Sequence, residues 1–158
     1  MSLANSSIPN IDGLCNFTAL RRASRYMTAA YDQALAPANL RITQFSILYQ
    51  LSKAGEMSIG DLAAALAMDR TTLATNLKPL EREGLISVEP GEDRRSKVSK
   101  LTRAGVAKFK RAYPLWSEVQ AQFESAYGKE RAAALRADLR GVLSSGFDPW
   151  AEHTEALG

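Results

Sequence analysis

Apolar residues recur along this chain at intervals of three and four, the period of an amphipathic helix, and only briefly at shorter spacing. The first run puts Leu14, Phe17, Leu20, Ala23 (or Ser24), Met27 and Tyr31 on one face. It predicts a long helix that begins near residue 8, takes Asn10 or Asp12 as its cap, and ends at about Ala36 before Pro37. The next helix takes Thr43 as its cap, carries Phe45, Leu48, Tyr49 and Leu51, and stops at Gly55. Ser58 caps a short helix with Ile59, Leu62, Ala63 and Leu66 inward, and Ala67 and Met68 make a link. Asp69 then caps a longer helix with Leu73, Leu77 and Leu80 inward, whose last turn Pro79 bends or tightens. Gly84 stands at the left-handed closing position, and Leu85 supplies the hydrophobic contact that follows it.

The period then changes. Leu85–Pro90 and Val98–Leu101 read as strands joined by a charged loop. Thr102 caps a second long helix carrying Val106, Phe109, Ala112 (or Tyr113), Trp116, Val119, Phe123 and Tyr127. Pro114 removes one backbone hydrogen bond from it and predicts a kink, and Gly128 ends it. A last helix, 129–145, uses Ala132, Leu135, Leu139, Val142 and Leu143. The tail 147–158 is expected to be poorly ordered, with Phe147 and Trp150 pinning part of it. The prediction is a mainly α fold with a small β-hairpin.

Composition narrows the classes. At 158 residues and 46% hydrophobic, the chain has length for one domain with a real core. No uncharged apolar run approaches the roughly 20 residues of a membrane span, and the N-terminus lacks a secretion pattern. One cysteine, Cys15, and one histidine, His153, exclude an internal disulfide and argue against structural zinc. A cytoplasmic protein without cofactor or membrane partner is expected. Without a Gly-rich phosphate loop or clustered carboxylates, the chain has no catalytic constellation and is not expected to be an enzyme.

The net charge of +3 is uninformative until it is divided. Residues 69–111 hold 11 Lys/Arg against 6 Asp/Glu, whereas 112–158 hold 4 against 7. A local positive surface of this kind suits phosphate neutralisation, although a solvated charged face has the same composition. Within the excess, the helix from Asp69 offers Arg70, Thr71, Thr72, Thr75, Asn76 and Lys78 around its apolar stripe. Arg pairs with guanine edges, Asn with adenine, and Thr with phosphate or a thymine methyl. The hairpin tip adds Arg94, Arg95 and Lys97, with Asp93 placed to hold an arginine fork. A twisted hairpin can set such an arginine in a minor groove.

Helix, turn, helix and basic hairpin in this order resemble the winged helix-turn-helix of the MarR family. Asp93-x-Arg95 followed by Leu101-Thr102-x-x-Gly105 is similar to that family's wing motif, and Leu80–Ile86 to the segment leading into it. Residues 20–35 and 40–51 are similar to its first two helices. The resemblance covers about residues 14–145. It implies a helical dimerisation region at 8–36 and 103–146, a DNA-binding region at 37–102, and a homodimer of triangular outline acting as a transcriptional repressor. Arg70, Thr71, Thr72, Thr75, Asn76 and Lys78 then fall on the recognition helix, Arg94, Arg95 and Lys97 on the wing, and Asp93 on its orienting position. Two-fold symmetry places half-sites of a near-palindromic operator about 10 bp apart.

Release by a small aromatic or anionic ligand is the implied switch. Tyr31, Phe45, Tyr49 and Trp116 would supply aromatic walls, and Arg21 and Arg25 a carboxylate partner. An alternative is redox sensing through Cys15. Against it, the sensing position of peroxide-responsive relatives falls on Phe17, and one supporting aromatic hydroxyl position falls on Arg21, leaving Tyr31. A further alternative, a winged protein-interaction module without DNA binding, is opposed by the intact basic tip.

Overall fold

The computed structural model describes residues 9–148. Trp150, His153 and the tail beyond residue 148 lie outside the described residues. The elements run α1 (Asn16–Leu35), a 3-10 turn (Ala36–Ala38), α2 (Ile42–Ala54), β1 (Glu56–Ser58), α3 (Ile59–Ala65), α4 (Arg70–Arg82), β2 (Ile86–Pro90), β3 (Lys97–Leu101), α5 (Arg103–Tyr127) and α6 (Lys129–Leu143). Residues up to Val119 form one compact unit and those from Gln120 a second. Among the described residues no helix is long and apolar enough to cross a membrane.

Most helix boundaries follow local chemistry. The Ser58 hydroxyl accepts the Asp61 amide at 3.0 Å, and the Thr102 hydroxyl accepts the Gly105 amide at 3.1 Å. Each satisfies a first-turn donor that has no partner within the helix. At the end of α4 the Gly84 amide donates to the Glu81 carbonyl and the Leu85 amide to that of Leu80, both at 2.9 Å. Gly84 has φ +71°, so this is the left-handed closure its residue type predicts.

Three starts differ from the sequence expectation. Helix α1 begins at Asn16, because Asn10 bonds the Asp12 amide in a separate turn and Gly13 takes φ +80°. Helix α2 begins at Ile42, one residue before the expected Thr43 cap, with Arg41 at the cap position. Its Ile42 amide is satisfied from outside the helix by Asp32 Oδ1 of α1 at 2.7 Å, and Gln44 returns to the Arg41 amide. Strand β1 was not expected: three residues are too few for a period. It pairs antiparallel with β3 and makes a three-stranded sheet of order β1-β3-β2. Both prolines inside helices are tolerated, since α4 runs on to Arg82 and α5 to Tyr127.

The core of the first unit joins α2, α3, α4 and the sheet through Leu48, Leu51, Leu62, Leu73, Leu77, Leu80 and Ile86. The inner stripes expected for α3 and α4 are thus the ones buried. In contrast, the N-terminal half of the α1 stripe is open: Leu14 is 77% and Phe17 71% exposed. In the second unit Phe123 and Tyr127 stack at 5.3 Å, Arg131 sits over Tyr127 at 4.2 Å, and Arg136 pairs with Glu124 at 2.9 Å. The α6 stripe buries only Ala132, and Leu139, Val142 and Leu143 are exposed.

Ser99, on the central strand, is fully buried and its hydroxyl has no partner among the described residues. An unsatisfied buried hydroxyl destabilises by about 1–3 kcal/mol. Ser99→Ala should therefore raise the chemical denaturation midpoint, by about 1 kcal/mol in stability. A lowered midpoint would mean that the hydroxyl is satisfied in solution.

Candidate nucleic-acid interface

Helix α4 is presented by its cap. Asp69 accepts the Thr72 amide and the Thr72 hydroxyl, each at 2.7 Å, and these bonds hold its carboxyl below the usual carboxylate range. Because the folded value is the lower one, the stabilisation is present above the ordinary carboxylate range and is lost as pH falls through the depressed value. An Asn cap makes an equivalent bond without titrating. Wild type should therefore lose thermal stability below about pH 4 more steeply than Asp69→Asn. Parallel pH curves for the two proteins would contradict this cap.

The side chains on α4 divide. Arg70, Thr71 and Lys78 are exposed. The Thr72 hydroxyl is spent on Asp69, and the Thr75 hydroxyl donates to the Thr71 carbonyl at 3.1 Å. Asn76 is half-buried, its amide donating to the Thr72 carbonyl at 3.0 Å and lying 3.9 Å from Met68 Sδ. For these three, expected as base or phosphate readers, the hydroxyl and amide donors face their own helix. Short polar side chains reach a carbonyl one turn back more readily than solvent.

The wing tip is a self-bonded turn. Gly91 donates to the Ser96 carbonyl, and the Ser96 amide to that of Asp93, both at 2.8 Å. Asp93 Oδ1 accepts the Arg95 amide at 3.1 Å. This corrects the expectation that Asp93 grips an arginine fork: two residues apart, the carboxylate reaches the main chain first. The guanidinium groups of Arg94 and Arg95 form no ion pair among the described residues, and both side chains are exposed. Arg70, Asp93, Arg95 and Lys97 share the lining of a cleft of about 420 Å³ with Ser58, Ile59, Gly60 and Ser96. The recognition helix and the wing thus form one surface rather than two separate features.

Helix α5 locks this surface from behind. The Thr102 amide donates to the Leu85 carbonyl at 3.1 Å, and its hydroxyl to that of Gly84 at 2.5 Å. Gly105 is buried against Leu85, so closely that a Cβ there would overlap the Leu85 carbonyl oxygen. The spacing Leu101-Thr102-x-x-Gly105 follows from this approach: one cap, one strand end and one position with room for hydrogen only.

Residues 40–97, the whole helix-turn-helix and most of the wing, match the family model described as the MarR family. The chain is 38% identical to the transcriptional regulator MosR of M. tuberculosis, in a crystal structure of that protein with DNA. That likeness covers 83% of this chain and 97% of that one, with a TM-score of 0.74. The chain belongs to the MarR family of winged-helix transcriptional regulators. Another MarR-like structure, the repressor CouR on a 23-mer DNA duplex, is 26% identical over 87% of this chain and 99% of that one, with a TM-score of 0.75. The activatory protein BadR of Rhodopseudomonas palustris is 36% identical over 46% of this chain and 44% of its own. The chain spans 66% or less of the length of the curated relatives it matches.

The aromatic residues expected to hold a ligand are partly united. Phe45, Tyr49 and Trp116 line a cleft of about 390 Å³ together with Ile42, Ser46 and Tyr113. Phe45 and Trp116 lie nearly parallel at 5.9 Å, and Phe45 stacks on Phe109 at 5.2 Å. Tyr31 is buried elsewhere, and Arg21 and Arg25 are exposed on α1 outside this lining. Tyr113 also belongs to the aromatic stock legible in the sequence, whereas Ile42 and Ser46 were missed, although 42, 45, 46 and 49 share one helix face at three- and four-residue spacing. Cys15 takes the N-cap position of α1. The neighbouring Thr18 hydroxyl and amide lower its thiol below the ordinary range.

Proposed function

We propose that this MarR-family protein is a homodimeric, sequence-specific DNA-binding repressor whose release is driven by a small aromatic ligand. The observation that carries the reading is the single surface formed by α4 and the wing, on which Arg70, Arg95 and Lys97 face the same cleft. Cations grouped in this way neutralise a phosphate backbone. MosR and CouR, solved with DNA, support the same use of the fold. The repressor sign follows CouR, whose likeness spans nearly its whole length, rather than BadR, matched over less than half.

Dimerisation is supported by exposed apolar faces. Among the described residues, Leu14, Phe17 and Leu20 on or before α1 are exposed, as are Leu139, Val142, Leu143 and Phe147 in the second unit. Two-fold pairing would give half-sites about 10 bp apart. The expected footprint is a near-palindrome, and protection of a single half-site by a monomer would refute the dimer.

The ligand reading rests on the aromatic cleft. Its lining holds tyrosine and serine hydroxyls and no charged side chain. It therefore favours a neutral planar phenol over the carboxylate that Arg21 and Arg25 were expected to bind. Titration with 2-naphthol in a Trp150→Phe background should quench Trp116 and weaken operator binding. Release requires tighter binding to the DNA-free form, so quenching without loss of affinity would refute the switch. The lowered Cys15 thiol favours a second reading, redox control; equal peroxide release of DNA from wild type and Cys15→Ser would end it.

A further inference from the structure

The helix position of Arg70 predicts a base-reading residue, but its side chain is seated elsewhere. A Cβ built on Gly60 would stand 3.0 Å from an Arg70 terminal nitrogen, 3.6 Å from Cζ and 3.8 Å from Nε. The guanidinium therefore lies against α3, on a seat that exists because residue 60 has no side chain. It also lines the cleft that the wing closes from the other side with Arg95 and Lys97. The other polar groups there are largely occupied. Ser58 accepts the Asp61 amide, Ser96 donates to the Asp93 carbonyl, and one Asp93 oxygen takes the Arg95 amide. Three cations face one carboxylate across the opening, and their free groups are all donors.

We propose that Arg70 holds a backbone phosphate of the DNA between α4 and the wing, and that it positions the reader without reading a base. The inference rests on the DNA-binding function proposed above and makes a different prediction from the usual role of an arginine in a major groove. A phosphate contact affects all sequences alike, whereas a guanine contact affects one position of the site. Gly60 then becomes part of the interface without touching DNA. Gly60 is a helical residue outside the left-handed region, so a good helix former there suits the backbone while filling the seat.

The test uses duplexes selected by the wild-type protein from a random pool, then remade with single neutral methylphosphonates along each strand. Wild type is expected to lose affinity at a small set of substituted phosphates. Arg70→Ala should bind about tenfold more weakly to every sequence, with a salt slope lower by about two, one contact being lost from each protomer, and base preference unchanged. It should also have become insensitive to the methylphosphonate at one phosphate of each half-site only. Gly60→Leu should reproduce that pattern with no loss of melting temperature. Relaxed preference at a single base pair in Arg70→Ala, or unchanged sensitivity at every phosphate, would overturn the proposal. Wild-type behaviour of Gly60→Leu would overturn the seat. If inorganic phosphate at millimolar concentration abolishes the Arg70-dependent difference without competing for DNA elsewhere, the cleft is a free-anion site and the proposal also fails. Failure of the wild-type protein to select any duplex would instead refute the underlying function.

Discussion

Gly105→Ala is expected to destabilise the protein by about 3 kcal/mol, the upper end of what one added carbon does in a packed site. The added Cβ would overlap the Leu85 carbonyl oxygen and stand 3.0 Å from its carbon, both main-chain atoms that cannot rotate away. Relief requires α5 to lift from Leu85, the residue that leads into β2. That movement stretches the Thr102 amide bond to Leu85 and the Thr102 hydroxyl bond to Gly84. These bonds fix the end of α4 relative to α5, so the recognition surface should loosen together with the fold. Urea denaturation should show a lower midpoint at similar slope, and operator affinity should fall. A wild-type midpoint would mean that the helix approaches Leu85 less closely in solution.

The largest expected functional effect comes from the wing tip. Arg94→Ala with Arg95→Ala should lower operator affinity about a hundredfold near physiological salt and reduce the salt slope by about three to four, two arginines being lost from each protomer. The fold should be unaffected, because the tip is held by bonds among Gly91, Asp93, Ser96 and the Arg95 amide, and neither arginine forms an ion pair among the described residues. Equal melting curves with a large loss of binding are the predicted combination. Unchanged affinity with unchanged melting would remove the wing from the interface and favour a protein-interaction role for the domain.

What was legible in the sequence was local. Ser58, Asp69 and Thr102 each cap a helix through bonds to residues three positions away, and Gly55, Gly84 and Gly128 each stop one with a positive φ. Such features depend on a few neighbouring residues, so residue type and spacing suffice. What was not legible depended on distant partners. Asp32 caps α2 from ten residues away, and Glu56–Ser58 becomes a strand because β3 offers it an edge. Ala67 takes φ +51° in the α3–α4 link without the glycine that usually marks such a turn. In the candidate interface, residue types pointed to the right surface but not to individual duties. Asp93 supports main chain, Asn76 and Thr75 bond their own helix, and Arg70 sits over a glycine ten residues before it.

The central claim is that α4 and the wing together neutralise DNA phosphates. Its most direct test is equilibrium binding of the full chain to a selected duplex across a salt series, read by fluorescence anisotropy. The account predicts that log affinity falls linearly with log salt, with a slope of several and a shallower one for the wing-tip variant. Salt-independent binding, or the same slope for both proteins, would contradict it.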